Sequence, residues 1–294
     1  MRGRPLLMGL LIFLGIAVLL YVGLFSVTHW TEGSKGEGRV AVVRIEGVIL
    51  DSKDVVDELR RYGDADGIRA IVLRIDSPGG GVAASQEIYE EVGKLRTEQK
   101  KTVVTSMGAV AASGGYYIAA ATDKIVANPG TLTGSIGVIM ELTNVEGLLK
   151  KIGVESVVVK SGSLKDIGSP FRTMTDEERR VLQTLMDDVH GQFIEAVAKG
   201  RHMKGEQVAQ FADGRVFTGK EAKTLGFVDE LGDLHDAVRL AGRLIGLKGE
   251  PNVVETPKRF SWRDFLRGQF MGGASPLGWA RSPVRLEYLM SLGS

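Results

Sequence analysis

One hydroxyl stands where a strand pattern breaks into a helix pattern. Val103 to Ala112 is mostly apolar or small, Ser113 follows, and Gly114-Gly115 opens a small-residue stretch that runs on through Ala121. A serine at such a turn is a candidate nucleophile. The glycines remove Cβ groups where a substrate carbonyl has to lie against main-chain N–H groups, and the Gly114 N–H is placed to hold an oxyanion. The same Ala/Gly/Ser run also suits a core helix that merely packs closely, so the motif needs support from the rest of the chain.

Support comes from a second glycine loop, Asp76-Ser77-Pro78-Gly79-Gly80-Gly81, which ends another apolar run, Ile68 to Ile75. Pro78 sets the turn and the glycines expose backbone donors. The loop matches neither G-x-x-x-x-G-K-[ST] nor G-x-G-x-x-G, which leaves a nucleotide site unsupported. If both loops end strands of one sheet, Gly80 and Gly114 can each give one N–H to the same carbonyl oxygen. Sequential strand–helix order makes such loops neighbours.

A serine hydroxyl needs a base to take its proton. The four histidines are His29, His190, His202 and His235, and none accompanies a glycine loop or a strand end. They read as exposed or structural. Lysine is the other route, since serine–lysine pairs follow the same logic as serine–histidine ones. A lysine amine has a reference pKa near ~10.4 and must be desolvated to act as a base, which burial achieves by up to about 3–5 units. Lys160 precedes, and Lys165 lies within, the loop Ser161-Gly162-Ser163-Leu164-Lys165-Asp166-Ile167-Gly168-Ser169-Pro170. Either fits, and residue chemistry does not choose between them; most lysines are solvated surface charges.

The elements that must position these groups alternate in type. Strands are expected at Val40–Gly47, Ile68–Ile75, Val103–Ala112 and Glu155–Lys160. Helices are expected at Lys53–Tyr62, Val82–Glu98, Asn144–Ile152, Asp176–Lys199, Phe217–Leu225 and Leu234–Ile245. Apolar Val181, Leu182, Leu185, Met186, Val189, Phe193 and Val197 form a helical stripe for core or subunit contact. This is an α/β pattern whose strands are buried on both faces.

With 294 residues, 44% of them hydrophobic, the chain suffices for one large α/β domain or two small ones. Lys+Arg 37 against Asp+Glu 36 leaves a net charge of +1 and no basic field for nucleic acid. The absence of cysteine excludes disulfides, thiolate metal sites and a thiol nucleophile. Leu6 to Phe25 is a run of 20 uncharged residues preceded by Arg2 and Arg4. That is the length of a membrane-spanning helix with a cytoplasmic amino terminus. A cleaved signal peptide has a shorter apolar core and an A-x-A-like site, which this sequence lacks. Expected boundaries are therefore a cytoplasmic 1–5, an anchor 6–25, a linker 26–39, a catalytic domain 40–249 and a tail 250–294. The tail, with Trp262, Phe265, Phe270 and Trp279 among Arg263, Arg267 and Arg281, reads as flexible or as a membrane- or partner-touching segment.

Taken together, the motifs resemble those of the signal peptide peptidase A family, membrane-anchored bacterial serine–lysine proteases. They are D-S-P-G-G-G at Asp76–Gly81, A-A-S-G-G-Y-Y at Ala111–Tyr117, T-L-T-G-S-I-G-V at Thr131–Val138, K-S-G-S-L-K-D-I-G-S-P at Lys160–Pro170 and G-R-V-F-T-G-K-E-A-K-T-L-G-F-V-D-E-L-G at Gly214–Gly232. The resemblance spans about Val40 to Gly246. It implies a Clp-protease/crotonase-like repeated ββα superhelix behind one transmembrane helix, with Ser113 as nucleophile, Lys165 as base and Lys160 as a strand-end residue. Ser135 orients the lysine amine, and Gly80 and Gly114 form the oxyanion hole. It further implies no cofactor or metal, and peptide substrates such as signal-peptide remnants. The implied assembly is a homo-oligomeric ring, such as an octamer, with active sites shared between neighbours, and the implied place is the bacterial cytoplasmic membrane with the catalytic domain outside. Two other readings share the fold: a crotonase-like acyl-CoA hydratase or hydrolase, and a non-catalytic membrane scaffold.

Overall fold

Strand β1 (Arg39–Glu46) pairs in parallel with β2 (Ile68–Ser77), and apart from Arg39, Arg44, Glu46, Arg69, Arg74 and Asp76 their residues are β-branched, small or apolar. The reason is burial on two sides. Alternate residues point to opposite faces: Ala41, Val43 and Ile45 enter the large core, while Val40 and Val42 enter a smaller one. Ile71, Leu73 and Ile75 of β2 are wholly buried, and each side chain removed from water contributes about 1.5–3 kcal/mol. The structure is a computed structural model describing residues 39–256, Gly15 and the backbone of 287–289. The chain divides into two units, Met1–Glu37 and Gly38–Ser294. Leu6–Phe25, apart from Gly15, lies outside the described residues, as do the aromatic and arginine side chains of the tail. No helix among the described residues is long and apolar enough to cross a membrane.

Between these strands lies α1 (Lys53–Gly63); after β2 come the short β3 (Gly79–Gly81) and α2 (Val82–Thr97). The pattern repeats with β4 (Thr102–Ala112), α3 (Gly114–Ala120), β5 (Lys124–Ala127) and β6 (Leu132–Gly134). Next are α4 (Glu146–Lys151), α5 (Asp176–Arg201), α6 (Gly205–Ala209), β7 (Val216–Thr218), α7 (Gly219–Thr224), β8 (Glu230–Leu231) and α8 (Leu234–Leu244). Strands β9 (Asn252–Glu255) and β10 (Glu287–Leu289) complete the described elements. The main sheet runs β7-β6-β4-β2-β1-β9, with β5 pairing β4 and β8, and only the β6–β7 pair is antiparallel. Helices α1, α2, α3 and α5 bury against one face, and α8 covers the other through Ala237, Val238, Leu240 and Ala241.

Four expectations change. Glu155–Lys160 is not a strand. Its apolar residues face solvent, Val157 81% and Val159 96% exposed, because β-branched residues hold a strand only where a neighbour completes the ladder. Lys160 accordingly ends no strand. The expected helix Phe217–Leu225 starts as β7, because Phe217 is drawn into the core opposite Thr133; Thr218 then caps the helix, accepting from Glu221 N–H. The stripe on α5 is buried only at Val189, Phe193 and Val197, while Val181 and Leu185 are exposed. Finally, the region beyond Gly249 contributes β9, parallel to β1, and β10, antiparallel to β3.

Candidate active site

Ser113 ends β4 and caps α3 with φ 52° and ψ −118°. A positive φ is costly for a residue with a Cβ, on the order of 1–3 kcal/mol, and persists only where the surroundings over-determine it. Here they do. Ser113 N–H donates to Gly134 C=O at 2.8 Å, and Tyr117 N–H donates back to Ser113 C=O at 2.8 Å. The paired tyrosines then lock the helix on both sides. Tyr116 donates its hydroxyl to Phe227 C=O at 2.9 Å and packs edge-on to the Phe227 ring; Tyr117 packs against Phe193 and Tyr89. Burial pushes the Tyr117 hydroxyl up to about 12 and that of Tyr116 higher still, so neither serves as a base near neutrality. Ser113 itself is fully buried, and its Oγ has no hydrogen-bond partner among the described residues.

The glycine loop lies alongside. Ser77 at the end of β2 is in register with Ala111 of β4, which sets β3 next to the Ser113 turn. A Cβ on Gly80 would sit 2.1 Å from Ile49 C=O, so only glycine allows this approach. Ile49 N–H donates to Gly79 C=O at 2.9 Å, and Gly81 N–H donates to Ile49 C=O at 2.8 Å. Because backbone groups of an extended strand alternate sides, the Gly80 N–H and C=O point to the opposite edge. Gly114 N–H, in the first turn of α3, has no helical acceptor.

Ser135 sits one position beyond the pair Ala112↔Gly134, as Ser113 does on its own strand. It also has a positive φ, 51°, and its N–H donates to Arg215 C=O at 2.8 Å. Ser135 lines a cleft of about 520 Å³ with Gln183, Met186, Asp187, His190, Asp213 and Arg215. The Nε2 of His190 is buried there without a hydrogen-bond partner among the described residues. His190 accompanies no glycine loop or strand end and so reads from the sequence as an exposed or structural residue. The signal that finds it is helical spacing, since Gln183, Met186, Asp187 and His190 fall at i, i+3, i+4 and i+7.

Lys165 lies on an exposed turn, and its N–H donates to Gly162 C=O at 3.1 Å. Within one chain its amine is not bonded to Ser113 Oγ, which has no hydrogen-bond partner among the described residues. Lys160 is differently placed: its amine meets Asp166 at 2.5 Å and Ser163 C=O at 2.7 Å. Arg172 closes this cluster by bonding Asp166 at 2.9 Å and Glu178, the N3 residue of the capping box that Thr175 opens on α5. The Arg172 guanidinium, with help from the Thr175 N–H, holds the Glu178 carboxyl at about 2, and Arg172 then Lys160 hold Asp166 lower still. Depressed carboxylates stabilise the fold above their unfolded values, ~4, and that contribution is lost as pH falls through the folded ones. Acidification from about pH 4.5 to about pH 2 should therefore free the 160–173 loop, read as faster amide exchange there. Arg172→Ala should show the same loosening already at pH 7; equal exchange in both proteins would refute the clamp. Among the described residues no group of three or more His, Cys, Asp or Glu is placed to hold a metal.

The chain is similar to known proteins over most of its length. The model for peptidase family S49 matches residues 95–248, and the one for Clp protease matches 45–131. A protein named "Putative protease" from Synechocystis sp. is 44% identical over 78% of this chain and 83% of its own length. One named "Putative signal peptide peptidase SppA" from Enterococcus faecium is 35% identical over 74% and 67%. "Protease 4" of Salmonella typhi is 40% identical over 72% of this chain, which spans only 35% of that longer protein.

Proposed function

Because the chain belongs to peptidase family S49, we propose that it is a membrane-anchored serine endopeptidase working through Ser113 and Lys165. The observation that carries this reading is the Ser113 turn: a buried, unpartnered hydroxyl on a strained backbone beside the glycine strand Gly79–Gly81. In the reaction Ser113 Oγ bonds to the scissile carbonyl carbon as its proton passes to the Lys165 amine. The N–H groups of Gly80 and Gly114 hold the oxyanion. Collapse of the tetrahedral species breaks the C–N bond, and the lysine returns the proton to the leaving amine. Water then repeats the sequence on the acyl-enzyme. Ser135 orients the amine, and no metal or cofactor takes part.

An exposed lysine amine is charged at neutral pH, and a base has to be desolvated. In this reading a neighbouring copy supplies the burial, so that the Lys165 loop of one chain closes on the Ser113 turn of the next in a ring. The exposed Val157, Val159, Val181 and Leu185 support such a contact, since uncovered apolar groups of this size favour association. The Leu6–Phe25 run anchors the chain in the membrane with the catalytic domain outside the cytoplasm. Remnant signal peptides and other hydrophobic segments are the substrates.

A serine-directed acylating probe that does not cross membranes, added to intact spheroplasts, should label the chain, and the labelled chain should sediment with membranes after a salt wash. Failure to label purified protein would refute the nucleophile. Labelling only after lysis would reverse the topology.

A further inference from the structure

Strands β2 and β4 do not keep one register to their ends. Ile75 lies opposite Met107 and Ser77 opposite Ala111, so between these pairs β2 has one residue, Asp76, and β4 has three, Gly108, Ala109 and Val110. This is a β-bulge, a device that re-aims a side chain and is common beside active sites. Counted on from Ala111, Ser113 comes level with Gly79; an unbroken ladder from Met107 would bring it level with Gly81. At the rise of a strand those two residues are about 6.6 Å. The bulge therefore sets how far along the glycine strand Ser113 stands, and with it whether the hydroxyl meets a carbonyl held by Gly80.

A bulge leaves main-chain groups without ladder partners, and here side chains take them. Asp76 Oδ1 accepts from the Val110 N–H at 3.0 Å. The Thr131 hydroxyl donates to Gly108 C=O at 2.7 Å, and the Arg74 guanidinium donates to Met107 C=O at 2.9 Å. The carboxylate reaches Val110 because residue 108 is glycine: a Cβ there would sit 2.6 Å from Asp76 Cγ. Asp76 is itself fixed, since the Gly47 N–H donates to its C=O at 2.9 Å and ties it to the end of β1. The glycine strand has separate supports. Ser77 Oγ accepts from the Gly79 N–H at 3.1 Å, and the Ile49 main chain bonds Gly79 and Gly81.

We propose that Asp76 is a positioning residue for the reaction: its carboxylate bonds the Val110 N–H, holds the Gly108–Val110 bulge and so places Ser113 beside Gly80. The inference rests on the reading of Ser113 as nucleophile and Gly80 as oxyanion donor. What the reaction takes from Asp76 is one acceptor oxygen in one place, not a charge. Because β3 has its own supports, loss of that oxygen moves the nucleophile and leaves the glycine strand where it is.

Three variants separate these roles. Asp76→Ala removes the acceptor, Asp76→Glu keeps the charge but carries it one methylene further, and Asp76→Asn keeps an acceptor oxygen in place without the charge. Asp76 is exposed, so none of them opens a cavity in the core. A misplacement of about 1 Å costs on the order of a hundredfold in rate. Asp76→Ala and Asp76→Glu should therefore each lower kcat for a fluorogenic peptide about tenfold to a hundredfold with KM within about twofold, while Asp76→Asn stays within about threefold of the parent in kcat. Amide exchange at Val110, which needs no catalysis, should quicken in Asp76→Ala and Asp76→Glu and stay slow in Asp76→Asn. Unchanged kcat in Asp76→Ala, or an Asp76→Asn as slow as Asp76→Ala, overturns the proposal. So does a folded variant in which KM alone changes, or a Val110 amide that exchanges alike in all three. If Asp76→Ala does not fold, the contrast between Asp76→Glu and Asp76→Asn makes the same decision. Should Ser113→Ala cleave peptide normally, the catalytic reading falls, while exchange at Val110 still reports whether Asp76 holds the bulge.

Discussion

Ser113→Ala is expected to lower kcat/KM for peptide cleavage about ten-thousandfold or more, the scale seen when a serine nucleophile is removed from a hydrolase. It should also leave the protein folded, and slightly more stable. Both outcomes follow from one geometry. The Oγ is buried without a hydrogen-bond partner among the described residues, and such a group costs about 1–3 kcal/mol. Alanine removes that group while keeping every backbone bond of the turn, so a gain of about 1 kcal/mol corresponds to a midpoint rise of about 2–4 °C. Ser113→Gly should rise further, because it also relieves the positive φ. Parallel measurement of hydrolysis and thermal unfolding decides the matter. Retained activity would remove Ser113 from the chemistry, and a collapsed midpoint would make it a structural serine.

The two lysines separate in the second experiment. Lys165→Ala should lose about a hundredfold to ten-thousandfold in kcat, the usual range for a general acid–base. Lys165→Arg should fare no better, because a guanidinium keeps its charge. Lys160→Ala should stay within about tenfold, since its amine is committed to Asp166 and Ser163 and acts on the loop, not the reaction. Activity that depends on a neutral amine also rises with pH into the alkaline range. The reverse pattern, with Lys160→Ala inactive and Lys165→Ala active, would reassign the base. Near-normal rates in both variants would turn attention to His190, whose unpartnered Nε2 lines the cleft beside Ser135.

What the amino-acid sequence determined by itself were features whose cause is local. The change from strand to helix at Ser113, the Asp76–Gly81 loop and the helices at Lys53, Val82, Asp176 and Leu234 depend on backbone preferences and apolar spacing that residue types carry with them. The tyrosines after Gly115 were visible as residues; that they hold the turn against Phe227 and Phe193 was not. Only the tertiary structure decided matters that depend on a distant partner. Glu155–Lys160 has strand-forming residues yet no strand within one chain to pair with, so it stays open. Phe217 joins a strand because the core beside Thr133 draws it in. The tail, proline-containing and mixed in polarity, contributes β10 because the Gly80 backbone offers an unpaired edge, and main-chain pairing asks almost nothing of side-chain identity. For the same reason the exposure of Lys165 could not be read in advance: a side chain's burial is set by which surfaces meet over it, and that is a property of the folded chain and its neighbours.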